Sequence, residues 1–175
     1  MGIALGNVSY ILNGLKEQKF LIQKGKREFQ IINKNELLDK WMMGFEEKLK
    51  PALHIGNFRF AGTEDEQNWK QLNLKHHQTF WGSEPAGSII TGYLQPQIFT
   101  LYTEETWNNL IKNYHFVPDQ NGKIKVYKKF WKENDGHGET IVHPLLAYTD
   151  LMNTGNNRCM ETAKIIYEQL LKKDI

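Results

Sequence analysis

Apolar residues near the start of the chain fall at Leu5, Val8, Ile11, Leu12 and Leu15. That is the spacing of one helical face, and it predicts a helix over 6–19. The period then shortens. Phe20-Leu21-Ile22 and Phe29-Gln30-Ile31-Ile32 read as two short strands around the turn Gln23-Lys24-Gly25-Lys26-Arg27. A helical period returns over 36–49 through Leu37, Leu38, Trp41, Met42, Phe45 and Leu49, with Asn33 and Asn35 as N-caps and Pro51 as its stop.

Beyond Pro51 the two periods interleave. Strands are predicted over 52–60, 76–81, 98–102 and 123–131. Glu64-Asp65-Glu66 opens a helix that runs through Trp69 and Leu72. Ser83 caps a helix ending near Thr91, with Glu84 and Pro85 in its first turn, where capping accounts for Glu84. Thr103 caps a further helix ending near Tyr114, and Asn121-Gly122 marks a turn. A polar loop covers 133–140, Pro144 opens a helix through Leu151, and a last helix follows Gly155-Asn156-Asn157 over 158–172. The fold class is α+β, a mixed α/β arrangement.

Helix, strand, basic turn, strand is the second half of a winged helix-turn-helix. The helices that precede it in a complete module have no counterpart ahead of Met1, so the unit reads as partial. The expected organisation is a partial winged helix over 1–32, a connector helix over 33–50 and an α/β domain over 51–175.

Composition narrows the classes. At 175 residues, 40% hydrophobic and 12% aromatic, the chain can build a core, which excludes a disordered segment. The net charge of +2 excludes a polyanion binder by bulk charge. Residues 1–32 hold Lys16, Lys19, Lys24, Lys26 and Arg27 against Glu17 and Glu28, a local excess of three. The single Cys159 makes no internal disulfide and fits a reducing cytoplasm. No apolar run approaches the ~18 residues of a membrane span, and Met1-Gly2-Ile3-Ala4-Leu5 lacks the charged start of a signal peptide.

The candidate DNA-contacting residues are Asn7, Ser9, Tyr10, Asn13 and Lys16 on the first helix and Lys24, Lys26 and Arg27 on the wing. Asn and Ser suit base edges or phosphate oxygens, and the basic groups suit the backbone or minor groove. Asp150, Arg158 and Glu161 offer two carboxylates and a guanidinium. A structural latch across the turn between the last two helices outweighs a metal or phosphate site there. The six histidines (His54, His76, His77, His115, His137 and His143) lack metal-ligand spacing, so no metal and no cofactor is expected. On a strand, His76 and His77 would point to opposite faces. No acid stands two residues before a lysine of the Lys123–Lys129 region, and no P-loop, GxGxxG or Ser/His/Asp order occurs, so no enzyme activity is expected. The five tryptophans fall within apolar patterns and read as packing residues.

Three stretches together resemble a known family: Leu5-Gly6-Asn7-Val8-Ser9; Glu36-Leu37-Leu38-Asp39-Lys40-Trp41 with Leu49-Lys50-Pro51; and Pro144-Leu145-Leu146-Ala147-Tyr148-Thr149-Asp150-Leu151 with Arg158 and Glu161-Thr162-Ala163-Lys164. With Trp81-Gly82-Ser83-Glu84-Pro85-Ala86 between them, the chain resembles the AbiEi-type antitoxins and transcriptional regulators of type IV toxin–antitoxin systems. The resemblance implies a cytoplasmic regulator whose winged helix binds promoter DNA and represses its own operon. It also implies functional opposition to a nucleotidyltransferase-like toxin. The family's winged helix begins before the point matching Met1. Two other readings stay open. One is a protein-interaction module without DNA binding, in which a homodimer or partner segment covers Val8, Ile11 and Leu15. The other, ranked last, is a metal-dependent nuclease-like domain.

Overall fold

The computed structural model describes residues 5–26, 28–132, 140–173 and 175. Two compact units divide the chain, 1–45 with residue 175 and 46–174. The division falls inside the stretch expected as a connector helix.

In the smaller unit, α1 (Leu5–Glu17) is followed by Lys19 in the left-handed region, φ 61°, which turns the chain. The antiparallel hairpin of β1 (Leu21–Gln23) and β2 (Phe29–Ile31) follows, in the register Leu21↔Ile31 and Gln23↔Phe29. Phe20, Leu21 and Leu38 are buried. Asn33 precedes α2 (Lys34–Gly44) but caps nothing with its side chain. Its Nδ2 donates instead to the carbonyl of Lys19, joining two left-handed residues of the unit. Pro51 does not stop the following helix. The helix widens into a π-turn over Phe45–Leu49 and continues as α3 (Lys50–Leu53). A wide turn directly before Pro51 accommodates a residue that cannot donate and whose ring crowds the preceding turn.

In the larger unit, five strands stand in the order β4-β5-β7-β3-β6. They are β3 (His54–Arg59), β4 (Thr79–Gly82), β5 (Phe99–Thr103), β6 (Val117–Pro118) and β7 (Ile124–Lys128). The β5–β7 pair is parallel and the other pairs are antiparallel. Strand alternation sends Phe58, Trp81, Phe99, Leu101, Ile124 and Val126 to one face. There they form a core with Trp69, Leu110, Tyr114 and Phe116. The short α4 (Thr63–Gln67), the 3₁₀ turn Trp69–Gln71 and α6 (Trp107–Tyr114) supply the covering residues. The Asn121-Gly122 turn carries β6 across to β7, on the far side of β3. Gly122 is required there, because a Cβ would stand 2.1 Å from the carbonyl oxygen of Phe58.

The other helices are α5 (Ser83–Thr91), α7 (Pro144–Met152) and α8 (Asn157–Ile166), the last extended by a π-turn over Tyr167–Leu171. Several starts differ from the expected ones. Gly82, not Ser83, is the N-cap of α5, and Ser83 itself takes φ 41°. Thr106, not Thr103, caps α6, because Thr103 is the last residue of β5. The strand expected from His76 starts at Thr79, because His77 is left-handed and the two histidines lie in a turn. The strand expected to reach Trp131 ends at Lys128. The loop expected over 133–140, with His137, lies outside the described residues except for Thr140. No helix among the described residues is long and apolar enough to cross a membrane.

Candidate functional site

The candidate residues fall into two groups, one in each unit. On the smaller unit, Asn7, Ser9, Tyr10 and Asn13 are exposed along α1, Tyr10 at 81%. Lys16 is used within the unit. Its Nζ donates to Oε1 of Gln23 at 3.0 Å and stands 4.9 Å from the centroid of the Phe29 ring, so it clips helix to hairpin. Lys24 and Lys26 are exposed in the turn, which closes where the Lys24 N–H donates to the Glu28 carbonyl. Arg27 lies outside the described residues. Val8 and Ile11 are exposed, as are Ile22, Phe29 and Ile31 on the hairpin, while Leu15 is half-buried.

On the larger unit, the expected Asp150–Arg158–Glu161 latch does not form as such. Asp150 sits in the last full turn of α7 and is wholly buried against β5. Its Oδ1 stands 3.1 Å from Lys50 Nζ, and the Tyr102 hydroxyl donates to the carboxylate at 3.0 Å. Lys50 also meets Oε2 of Glu46 at 3.1 Å. Arg158 is exposed at the start of α8, where its backbone N–H donates to the Asn156 side chain. Glu161 accepts from the hydroxyl of Tyr93 at 2.9 Å. The reason is direction. The turn places Arg158 in solvent, while Asp150 faces the sheet.

Glycine makes the buried contact fit. A Cβ on Gly82 would stand 2.6 Å from the Tyr102 ring and 3.1 Å from Asp150 Oδ2. Burial pushes the Asp150 carboxyl up, opposed by Lys50 and Tyr102. Burial works against the Lys50 ammonium, but Asp150 and Glu46 outweigh it and hold Lys50 above its ordinary value. Burial, then the Asp150 charge, raises Tyr102 well above the phenol range. Glu84 also departs from its expected role. It is buried, and its Oε2 accepts from the backbone N–H of Gln97 at 2.7 Å, so it anchors the entry to β5 rather than capping its own helix.

An open cleft of about 350 Å³ adjoins Lys50, lined by Glu46, Lys50, Pro51, His54, Asn57, Lys125 and Tyr127. Sequence periodicity did not find it, because its residues come from the π-turn, α3, β3 and β7. The signal that could have found it is polar substitution at His54, Asn57 and Lys125 on one face of two strands. Among the described residues no three His, Cys, Asp or Glu side chains converge as a metal site. Trp69 and Trp81 are core residues and stack edge-on at 5.4 Å, while Trp107 is 38% exposed.

A family model described as transcriptional regulator, AbiEi antitoxin, type IV TA system matches residues 30–172. No curated protein and no solved structure matches the chain. The matched stretch opens inside β2 and includes α2, the whole sheet, the Lys50–Asp150–Tyr102 cluster and both C-terminal helices. With most of its length inside that match, the chain belongs to the AbiEi antitoxin family of transcriptional regulators of type IV toxin–antitoxin systems.

Proposed function

We propose that this antitoxin represses its own operon by laying α1 and the tip of the β1–β2 hairpin on promoter DNA. One observation carries the reading: an exposed polar helix face is clipped by Lys16 to a hairpin whose turn presents Lys24 and Lys26. Asn7, Ser9, Tyr10 and Asn13 then meet groove edges and phosphates, and Lys24, Lys26 and Arg27 meet the backbone. In the same reading the larger unit opposes a nucleotidyltransferase-like toxin in the cytoplasm, and the chain itself catalyses nothing.

Gel retardation of the promoter fragment tests the first half. Retardation that weakens steeply with salt supports it, because displaced counterions drive phosphate binding. A promoter left unshifted at low salt refutes it. Co-expression with a nucleotidyltransferase-like toxin of a type IV system tests the second half: restored growth supports it, and undiminished toxicity refutes it.

A second reading rests on a different observation. The smaller unit exposes Val8, Ile11, Ile22, Phe29 and Ile31, an apolar surface that suits a protein partner. Sedimentation at high concentration separates the two readings: a monomer that binds promoter DNA favours the first.

A further inference from the structure

The half of the sheet formed by β3 and β7 has one apolar face and one polar face. Phe58, Ile124 and Val126 lie in the core, whereas Asn57 pairs with Lys125 and His54 pairs with Tyr127 on the side that lines the cleft. Three features distinguish this polar face from a merely solvated one. Lys125 is half-buried, and among the described residues no carboxylate stands within ion-pair distance of it.

The second feature is the fixed orientation of His54. Nδ2 of Asn57 donates to the Gln120 carbonyl at 2.8 Å, which leaves Oδ1 to face Nε2 of His54 at 2.9 Å. Oδ1 only accepts, so Nε2 carries the proton, and Nδ1 of the neutral ring is an acceptor. The third feature is what stands behind the cleft wall. Asp150 keeps a fully buried carboxylate against Lys50, an arrangement that well-packed apolar residues commonly match or better in stability. It orients Lys50, which with Glu46 forms one wall of the cleft.

We propose that this cleft binds a small phosphate-bearing ligand of mononucleotide size. Lys125 takes the phosphate as a point charge, and Glu46 and His54 accept from the N–H and O–H groups of the remainder. The volume of about 350 Å³ lies at the small end of ligand sites, which suits one nucleotide rather than a larger cofactor. The cleft lies wholly within the larger unit, so the proposal stands or falls separately from promoter binding.

The test is titration of the full chain with each of the four 5′-mononucleotides, read by backbone amide shifts. Inorganic phosphate and the corresponding nucleosides serve as separate arms. The expected result is saturable movement of amides over 54–57 and 124–127 with at least one nucleotide. Lys125→Gln, with an unchanged melting temperature, then binds at least about tenfold more weakly, the loss expected for one charge-assisted contact. A second variant, Asn57→Asp, sets a carboxylate beside Lys125 and weakens binding likewise. The proposal is overturned by any one of four results: no saturable shift up to about 10 mM; a nucleoside that binds as well as its nucleotide; inorganic phosphate that binds as tightly as the nucleotides; or undiminished binding by Lys125→Gln.

Discussion

The two units of this antitoxin solve opposite problems. The larger one buries Phe58, Leu101, Leu110, Ile124 and Val126 completely and stacks aromatic rings around them. The smaller one, at about forty-five residues, is near the size at which a single core becomes marginal. It leaves Val8, Tyr10, Ile11, Ile22, Phe29 and Ile31 in solvent. The larger unit therefore holds most of the buried core, while the smaller one leaves much of its apolar surface exposed.

The sharpest way to break that contrast is to unbalance the buried ion pair. Asp150→Ala removes the fully buried carboxylate that faces the largely buried Lys50 and costs about 3 kcal/mol, measured by urea unfolding of the larger unit. The double variant Lys50→Met/Asp150→Leu recovers much of that loss, because no uncompensated charge remains. Full additivity of the two single losses contradicts the pairing. Leu101→Ala, in the centre of the sheet, costs a further comparable amount, about 2–5 kcal/mol. Ile11→Ser on α1, half exposed at 51%, changes stability by less than about 0.5 kcal/mol. If Ile11→Ser costs as much as Leu101→Ala, the contrast fails.

Proton linkage gives a smaller effect with a definite sign. In Lys50→Met the buried Asp150 loses the larger of the two partners that pull its pKa down, so the folded value rises further above the ordinary 3.8. The folded state then holds the proton more tightly than the unfolded chain. Stability falls as pH rises from the unfolded value through the raised folded one, so the variant is more stable at about pH 5 than at about pH 7. In the unmodified chain, Lys50, Tyr102, Tyr114 and Tyr127 are raised when folded, Tyr114 to about 12 by burial and its bond to Glu105. Their contribution is intact below about pH 10 and is lost as pH climbs above it, a trend that thermal melts across alkaline buffers check.

Sequence periodicity located the helix–hairpin unit and most strands within a few residues, because their apolar positions repeat locally. It misplaced what depends on distant partners. Pro51 reads as a stop, yet the π-turn ahead of it lets the helix run on to Leu53. Glu84 reads as a cap, yet it serves the backbone of Gln97 and Ile98. Asp150 reads as a neighbour of Arg158, yet its partners Lys50 and Tyr102 lie 100 and 48 positions away. No local pattern signals a pairing at that separation. The polar strand positions His54, Asn57 and Lys125 were visible singly, and only the β3–β7 register brings them together.

The most direct test of the proposed promoter contact is the salt dependence of promoter affinity. Fluorescence anisotropy on a labelled fragment compares the unmodified chain with the variant Lys24→Ala/Lys26→Ala/Arg27→Ala. Each lost phosphate contact should flatten the slope of log affinity against log salt by about 0.9, so three losses flatten it by about 2.7, with no change in which promoter bases are preferred. Equal slopes for the two proteins, with binding intact in both, would contradict the account and move the DNA contact away from the hairpin.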